Sequence, residues 1–152
     1  MAKRYFEDFH VGQVIEMGPR TVSREEIIRF AEKFDPQPFH IDETAAKATM
    51  FGGLIASGWH TMSMCMRMMV DGFISESASL GSAGIDELRW LKPVRPGDSL
   101  SLTMEVTETL PSKSKPDRGT VKSSYRMRNQ KGELVMTLKG TGMFSRRAGA
   151  AA

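Results

Sequence analysis

The sequence predicts an α+β domain in which one antiparallel sheet packs against a long apolar helix. Two observations carry that expectation. From Leu54 to Phe73 the apolar residues Ile55, Trp59, Met62, Met66, Met69 and Phe73 recur at helical spacing. From Leu80 onward the period changes to two, and short turns join the alternating segments, which favours antiparallel neighbours.

Taken in order, residues Gly12 to Arg20 read as a first strand, ended by Gly18-Pro19. Ser23-Arg24-Glu25-Glu26 has the form of a capping box, in which the serine hydroxyl and the glutamate carboxylate each satisfy the other's backbone amide. It opens a helix with Ile27, Phe30 and Ala31 on one face, which stops near Phe34 because Pro36 disfavours helical geometry at Asp35. The next stretch, Phe34-Asp35-Pro36-Gln37-Pro38-Phe39-His40, is expected to stay non-helical, with two prolines fixing φ and their predecessors extended. A short helix follows from Asp42 to Ala48, with an acidic residue at its positive end. In the long Leu54–Phe73 helix, Met64, Cys65 and Met68 fill most of the remaining circumference. This leaves a narrow polar stripe of His60, Ser63, Arg67 and Asp71 on a largely enclosed helix. Leu100, Leu102, Met104 and Val106, then Val121, Ser123, Tyr125 and Met127, mark the buried faces of two strands. A last strand runs from about Glu133 to Phe144. Pro96-Gly97-Asp98 is a turn, Asn129 to Gly132 a hairpin loop, and Pro111 to Gly119 a longer polar connection. The economical arrangement is a curved antiparallel meander wrapped around the helix.

The length of 152 residues suits one domain, expected over residues 1–147, with Ala148-Gly149-Ala150-Ala151-Ala152 a disordered tail. With 40% hydrophobic and 26% charged residues and no apolar run of spanning length, no membrane association is expected. The acidic turn after Met1-Ala2-Lys3-Arg4 argues against a secretory signal, and the single Cys65 fits a reducing compartment, so a cytoplasmic location is expected. A net charge of +3 suits an anionic small molecule and is too weak to argue for nucleic acid. His40, His60 and Cys65 do not form a zinc spacing, so no metal is expected.

Chemistry concentrates at Asp35 and His40, a carboxylate and an imidazole held close together between an expected helix stop and a second helix. Such a pair can take a proton from water and hand one on near neutral pH. The same residues also fit a helix terminator and a loop histidine bonded to backbone, and the residues alone leave the choice open.

Asp35-Pro36-Gln37-Pro38-Phe39-His40, followed by Phe51-Gly52-Gly53-Leu54-Ile55-Ala56-Ser57-Gly58 and then Leu91-Lys92-Pro93-Val94-Arg95-Pro96-Gly97-Asp98, resembles the MaoC-like dehydratases, or R-specific enoyl-CoA hydratases, of the hot-dog superfamily. The resemblance covers about residues 8 to 145. It implies a single hot-dog domain that assembles as a homodimer or higher homo-oligomer and acts on an acyl-CoA thioester. The implied reaction adds water to a trans-2-enoyl-CoA to give the R-3-hydroxyacyl product. No cofactor is implied beyond the coenzyme A of the substrate. By the same resemblance Asp35 and His40 are the catalytic pair, and the Gly58 amide is the oxyanion donor, with Ser57 and Gln37 as further substrate-binding candidates. One departure stands out: the family's usual asparagine is Gln37 here, with the same amide on a longer stem. The alternatives are a non-catalytic acyl-CoA or acyl-carrier binding protein and, less favoured, a hot-dog thioesterase. The latter would need an acid on the central helix, where only Asp71 is available.

Overall fold

The computed structural model describes residues 3–149. Of the tail expected to be disordered, Ala148 and Gly149 form an exposed turn and residues 150–152 lie outside the described residues. Five strands, β1 (Val14–Thr21), β2 (Ser79–Trp90), β3 (Ser99–Pro111), β4 (Arg118–Arg128) and β5 (Leu134–Ser145), form one sheet in the order β1-β3-β4-β5-β2, every neighbouring pair antiparallel. Four α-helices, α1 (Arg24–Phe34), α2 (Pro38–Ile41), α3 (Glu43–Lys47) and α4 (Gly58–Gly72), lie between β1 and β2 in the chain.

The alternation predicted for β3 and β4 is what builds the core. Leu100, Leu102, Met104 and Val106 face inward beside Val121, Tyr125 and Met127, and meet Met64, Cys65 and Met68 of α4. A meander joins β3, β4 and β5 only. β2 pairs with β5 at one edge, and residues 91–98 carry the chain across to β3. Three strand spacings amount to about 14 Å, well within the reach of that segment.

Four local expectations are corrected. β1 does not end at Gly18-Pro19 but runs through it to Thr21, absorbing the proline in a register shift between Met17 and Arg20. The capping box is half formed: Ser23 Oγ accepts from the Glu26 amide at 3.1 Å, while the Glu26 carboxylate turns instead to Arg20 at 2.8 Å. The two prolines do not keep the following segment out of helix. Pro38 is the first residue of the one-turn α2, where its missing N–H costs nothing and its φ is already helical. Finally, α4 begins at Gly58, because the Ile55 and Ala56 amides donate to Phe39 and Val94 carbonyls and hold that stretch extended.

The rotation of α4 also differs from expectation. Its buried face is His60, Thr61, Met64, Cys65 and Met68, whereas Trp59 is 58% and Met66 42% exposed. The deciding contacts come from α1, whose Phe30 stacks on His60 with ring centroids 4.7 Å apart. Arg67 and Asp71 of the predicted polar stripe do face solvent and pair at 2.9 Å. No helix among the described residues is long and apolar enough to cross a membrane.

Candidate active site

The end of α1, the α2 turn and the start of α4 converge on Asp35. Asp35 is the residue after α1, its amide donating to Ala31 O at 2.8 Å, and it projects its carboxylate toward the first turn of α4. Ser57, the N-cap of α4, accepts from the Trp59 amide at 3.2 Å and donates its own proton to Asp35 Oδ2 at 2.7 Å. Gln37 Nε2 donates to the other oxygen, Oδ1, at 2.7 Å.

His40 closes the arrangement from α2. Its Nδ1 lies 2.8 Å from Ile55 O. A carbonyl only accepts, so the proton is assigned to Nδ1, and Nε2 is the atom that faces Asp35 Oδ2 at 3.3 Å. The one-turn helix begun by Pro38 therefore serves to aim this ring. Burial pushes the Asp35 carboxyl up, but the hydrogen bonds from Gln37 and Ser57 and the facing imidazole outweigh it, leaving the group below the ordinary carboxylate range.

His40 and Gly58 both line a cavity of about 380 Å³ whose other walls include Phe39, Ile55, Thr61 and Trp90. Gly58 is the first residue of α4, so its amide has no acceptor within the helix and lies at the positive end of the dipole. The absence of a side chain there is required. A Cβ would meet the Trp90 indole at 2.5 Å.

The structure thus gathers all five residues singled out in the sequence, but divides them. His40 and Gly58 face the cavity, whereas the hydroxyl of Ser57 and the amide nitrogen of Gln37 are spent on Asp35. The Gln37 amide thus reaches back to the carboxylate two residues earlier. Asp71 is paired with Arg67 on the exposed side of α4, apart from this site. Two participants escaped the sequence reading, the Ile55 carbonyl and Trp90. A backbone carbonyl leaves no signal in a sequence, and Trp90 is separated from Gly58 by the whole of α4 and β2. Among the described residues no three His, Cys, Asp or Glu side chains gather closely enough to hold a metal.

Residues 8–127 match the family model described as the MaoC like domain. An (R)-specific enoyl-CoA hydratase of Rhodospirillum rubrum is 33% identical over 116 residues, covering 72% of this chain and 74% of that protein. A 3-hydroxybutyryl-CoA dehydratase of Methylorubrum extorquens is 32% identical over 110 residues, covering 72% of this chain and 68% of that protein. The crystal structure of a MaoC-like dehydratase from Rhodospirillum rubrum superposes with a TM-score of 0.86 at 41% identity, over 94% of this chain and 97% of that one. The five-stranded antiparallel sheet with its central helix is the hot-dog fold, and the chain belongs to the MaoC-like family of hydratases and dehydratases.

Proposed function

We propose that the protein hydrates trans-2-enoyl-CoA thioesters to R-3-hydroxyacyl-CoA and catalyses the reverse dehydration. The observation that carries this reading is the His40 Nε2 to Asp35 Oδ2 approach of 3.3 Å, beside a cavity that His40 and Gly58, the first residue of α4, both line. Water held beside the pair loses a proton to His40 Nε2 as its oxygen bonds to C3 of the enoyl group. The negative charge that develops on the thioester oxygen is met by the Gly58 amide and the α4 dipole. The imidazolium, facing the Asp35 carboxylate, then returns the proton to C2 on the same side, so that one water is added overall. Asp35 is kept ionised for this by Gln37 and Ser57.

The names of the Rhodospirillum rubrum and Methylorubrum extorquens relatives both support the CoA thioester class, and that of the Rhodospirillum rubrum relative supports the R product. Lys92 at the cavity wall, whose ammonium pairs with Glu133, and Arg95, whose guanidinium donates to Phe51 O at 2.6 Å, would meet the phosphates of coenzyme A. The working unit is a homodimer. β2 is a sheet edge exposed almost throughout, carrying Leu80, Ile85 and Trp90, and pairing two such edges would cover it. The reaction needs no cofactor beyond the substrate's own coenzyme A, and the expected setting is cytoplasmic.

The test is loss of enoyl-thioester absorbance when the protein meets trans-2-butenoyl-CoA, with chiral analysis of the product. Formation of the R-3-hydroxy thioester is expected. Release of free thiol without hydration, or tight binding without turnover, would overturn the reading in favour of a thioesterase or a binding protein respectively.

A further inference from the structure

A second cavity, of about 160 Å³, lies farther along α4, between Met62, Met66 and Met69 and the inner face of the sheet. The sequence makes this space by omission. Inner-face positions alternate along β4 and β5, and those that cross the cavity are Ser123, paired with Gly140, and Gly142, paired with Val121. The omission is not slack to be filled: a Cβ at Gly140 would meet the Tyr125 ring at 2.9 Å, and one at Gly142 the Phe144 ring at 3.0 Å.

Both cavities are bordered by α4 and β2. Gly58 and Met62 stand one turn apart on α4, and β2 borders the first cavity at Trp90 and the second between Ser79 and Ile85. An acyl chain whose thioester oxygen rested at Gly58 would be directed along α4 toward the second cavity. Apolar cavities of about 150 Å³ admit a benzene-sized guest, which sets the size of tail this one holds.

The chamber is mostly apolar, but one of its polar groups does not suit a plain hydrocarbon. Ser123 is 3% exposed, and among the described residues its Oγ has no hydrogen-bond partner. An unpaired buried hydroxyl is a liability that alanine at the same position would avoid. Tyr125 lines the same cavity two residues along the same strand face. Burial, and secondarily Cys65, push its phenol well up, and the nearby Ser123 only partly offsets this without completing a bond to it, so the phenol keeps its proton to donate. No Lys, Arg, His, Asp or Glu lines the cavity, so a charged tail would have no counter-ion.

We propose that the chamber selects enoyl thioesters whose acyl tail carries an uncharged oxygen, a hydroxyl or a ketone, received by Ser123 Oγ and the Tyr125 hydroxyl. This rests on the hydratase reading and adds the chemistry of the tail. Matched trans-2-enoyl-CoAs of increasing length, each ending either in methyl or in hydroxymethyl, measure it directly. At the length that reaches the chamber, kcat/KM favours the oxygenated member by about tenfold, the worth of one well-made neutral hydrogen bond over a buried unpaired hydroxyl. Ser123→Ala, and Ser123→Ala combined with Tyr125→Phe, move that ratio toward the methyl-ended substrate. A preference for methyl ends at every length, or a ratio that the variants leave unmoved, as when Ser123 merely holds a water, overturns the proposal. Trans-2-butenoyl-CoA is too short to reach the chamber, and failure to hydrate it sinks the hydratase reading instead. In that event calorimetric binding of the two saturated thioesters still reports the tail preference.

Discussion

Two histidines in this molecule have nearly the same immediate surroundings and different prospects. His40 and His60 are each 4% exposed, and each places Nε2 3.3 Å from a carboxylate oxygen, of Asp35 and Glu26 respectively. The difference lies in what surrounds the pair. At His40 the far nitrogen is fixed by the Ile55 carbonyl, and the carboxylate is oriented by two donors that are not cations. At His60 the far nitrogen is buried with no partner among the described residues, the ring is stacked on Phe30, and the carboxylate is already engaged by Arg20. A histidine–carboxylate contact is therefore no sign of catalysis by itself. Tautomer control, a carboxylate free to stabilise an imidazolium, and a helix N-terminus facing the same cavity are what set the first pair apart.

The sharpest way to break this contrast is to remove each pair in turn. His40→Ala or Asp35→Asn is expected to lower kcat for hydration by about 10² to 10⁴-fold, the usual worth of positioned acid–base catalysis, with the fold intact by circular dichroism. His60→Gln is expected to stay within a few-fold of the parent. Equal losses at both histidines would show that burial beside a carboxylate, and not the Ile55 tether and the cavity, is the operative feature.

The same contrast explains what the sequence could and could not show. The inner faces of β3 and β4 are legible because alternation has a period of two and only one register buries Leu100 through Val106. Asp35 and His40 are legible because they stand five residues apart in a motif with two prolines between them. The rotation of α4 is not, because methionines occupy almost every side of it and give the helix no strong preferred face. Its orientation is decided by Phe30 on His60 and by the Glu26 carboxylate leaving its cap for Arg20, contacts among separate elements. The role of Ser57 is hidden for a similar reason, since its partner Asp35 lies 22 residues away.

Gly58 gives the next largest effect. Gly58→Ala drives a methyl group into the Trp90 indole and is expected to lower stability by about 1–3 kcal/mol, as overpacking commonly does. Combining it with Trp90→Leu should recover most of that loss in a thermal melt. Because alanine keeps the backbone amide, turnover of a short enoyl thioester should recover alongside. Recovery of stability without turnover would show that Trp90 itself shapes the catalytic cavity. Ser57→Ala comes next. It removes the α4 cap, which costs about 1 kcal/mol, and one of the two donors that hold Asp35. Stability and kcat should therefore fall together, whereas a cap with no part in the site would lower the melting temperature alone.

The smallest expected effect concerns the second histidine and acid. Desolvation by burial depresses the His60 pKa, outweighing the opposing pull of Glu26, with Arg20 adding to the depression. In the unfolded chain this imidazole titrates near its ordinary value of about 6.5. As pH falls below that value the unfolded chain takes up a proton that the folded chain refuses, so folding stability declines until the folded-state pKa is passed and then levels off. Asp35 acts in a separate, lower window: its depressed pKa contributes stability above the unfolded value of about 3.9 and loses it as pH drops through the folded value. His60→Gln should therefore flatten the fall in melting temperature from pH 7 to pH 5 and leave the steeper loss below pH 4 in place. Identical slopes in the two proteins would mean that His60 binds protons equally in the folded and unfolded chains, and a shallower fall in the parent than in the variant would mean that Glu26 holds it as an ion pair, its resemblance to His40 then extending beyond distance.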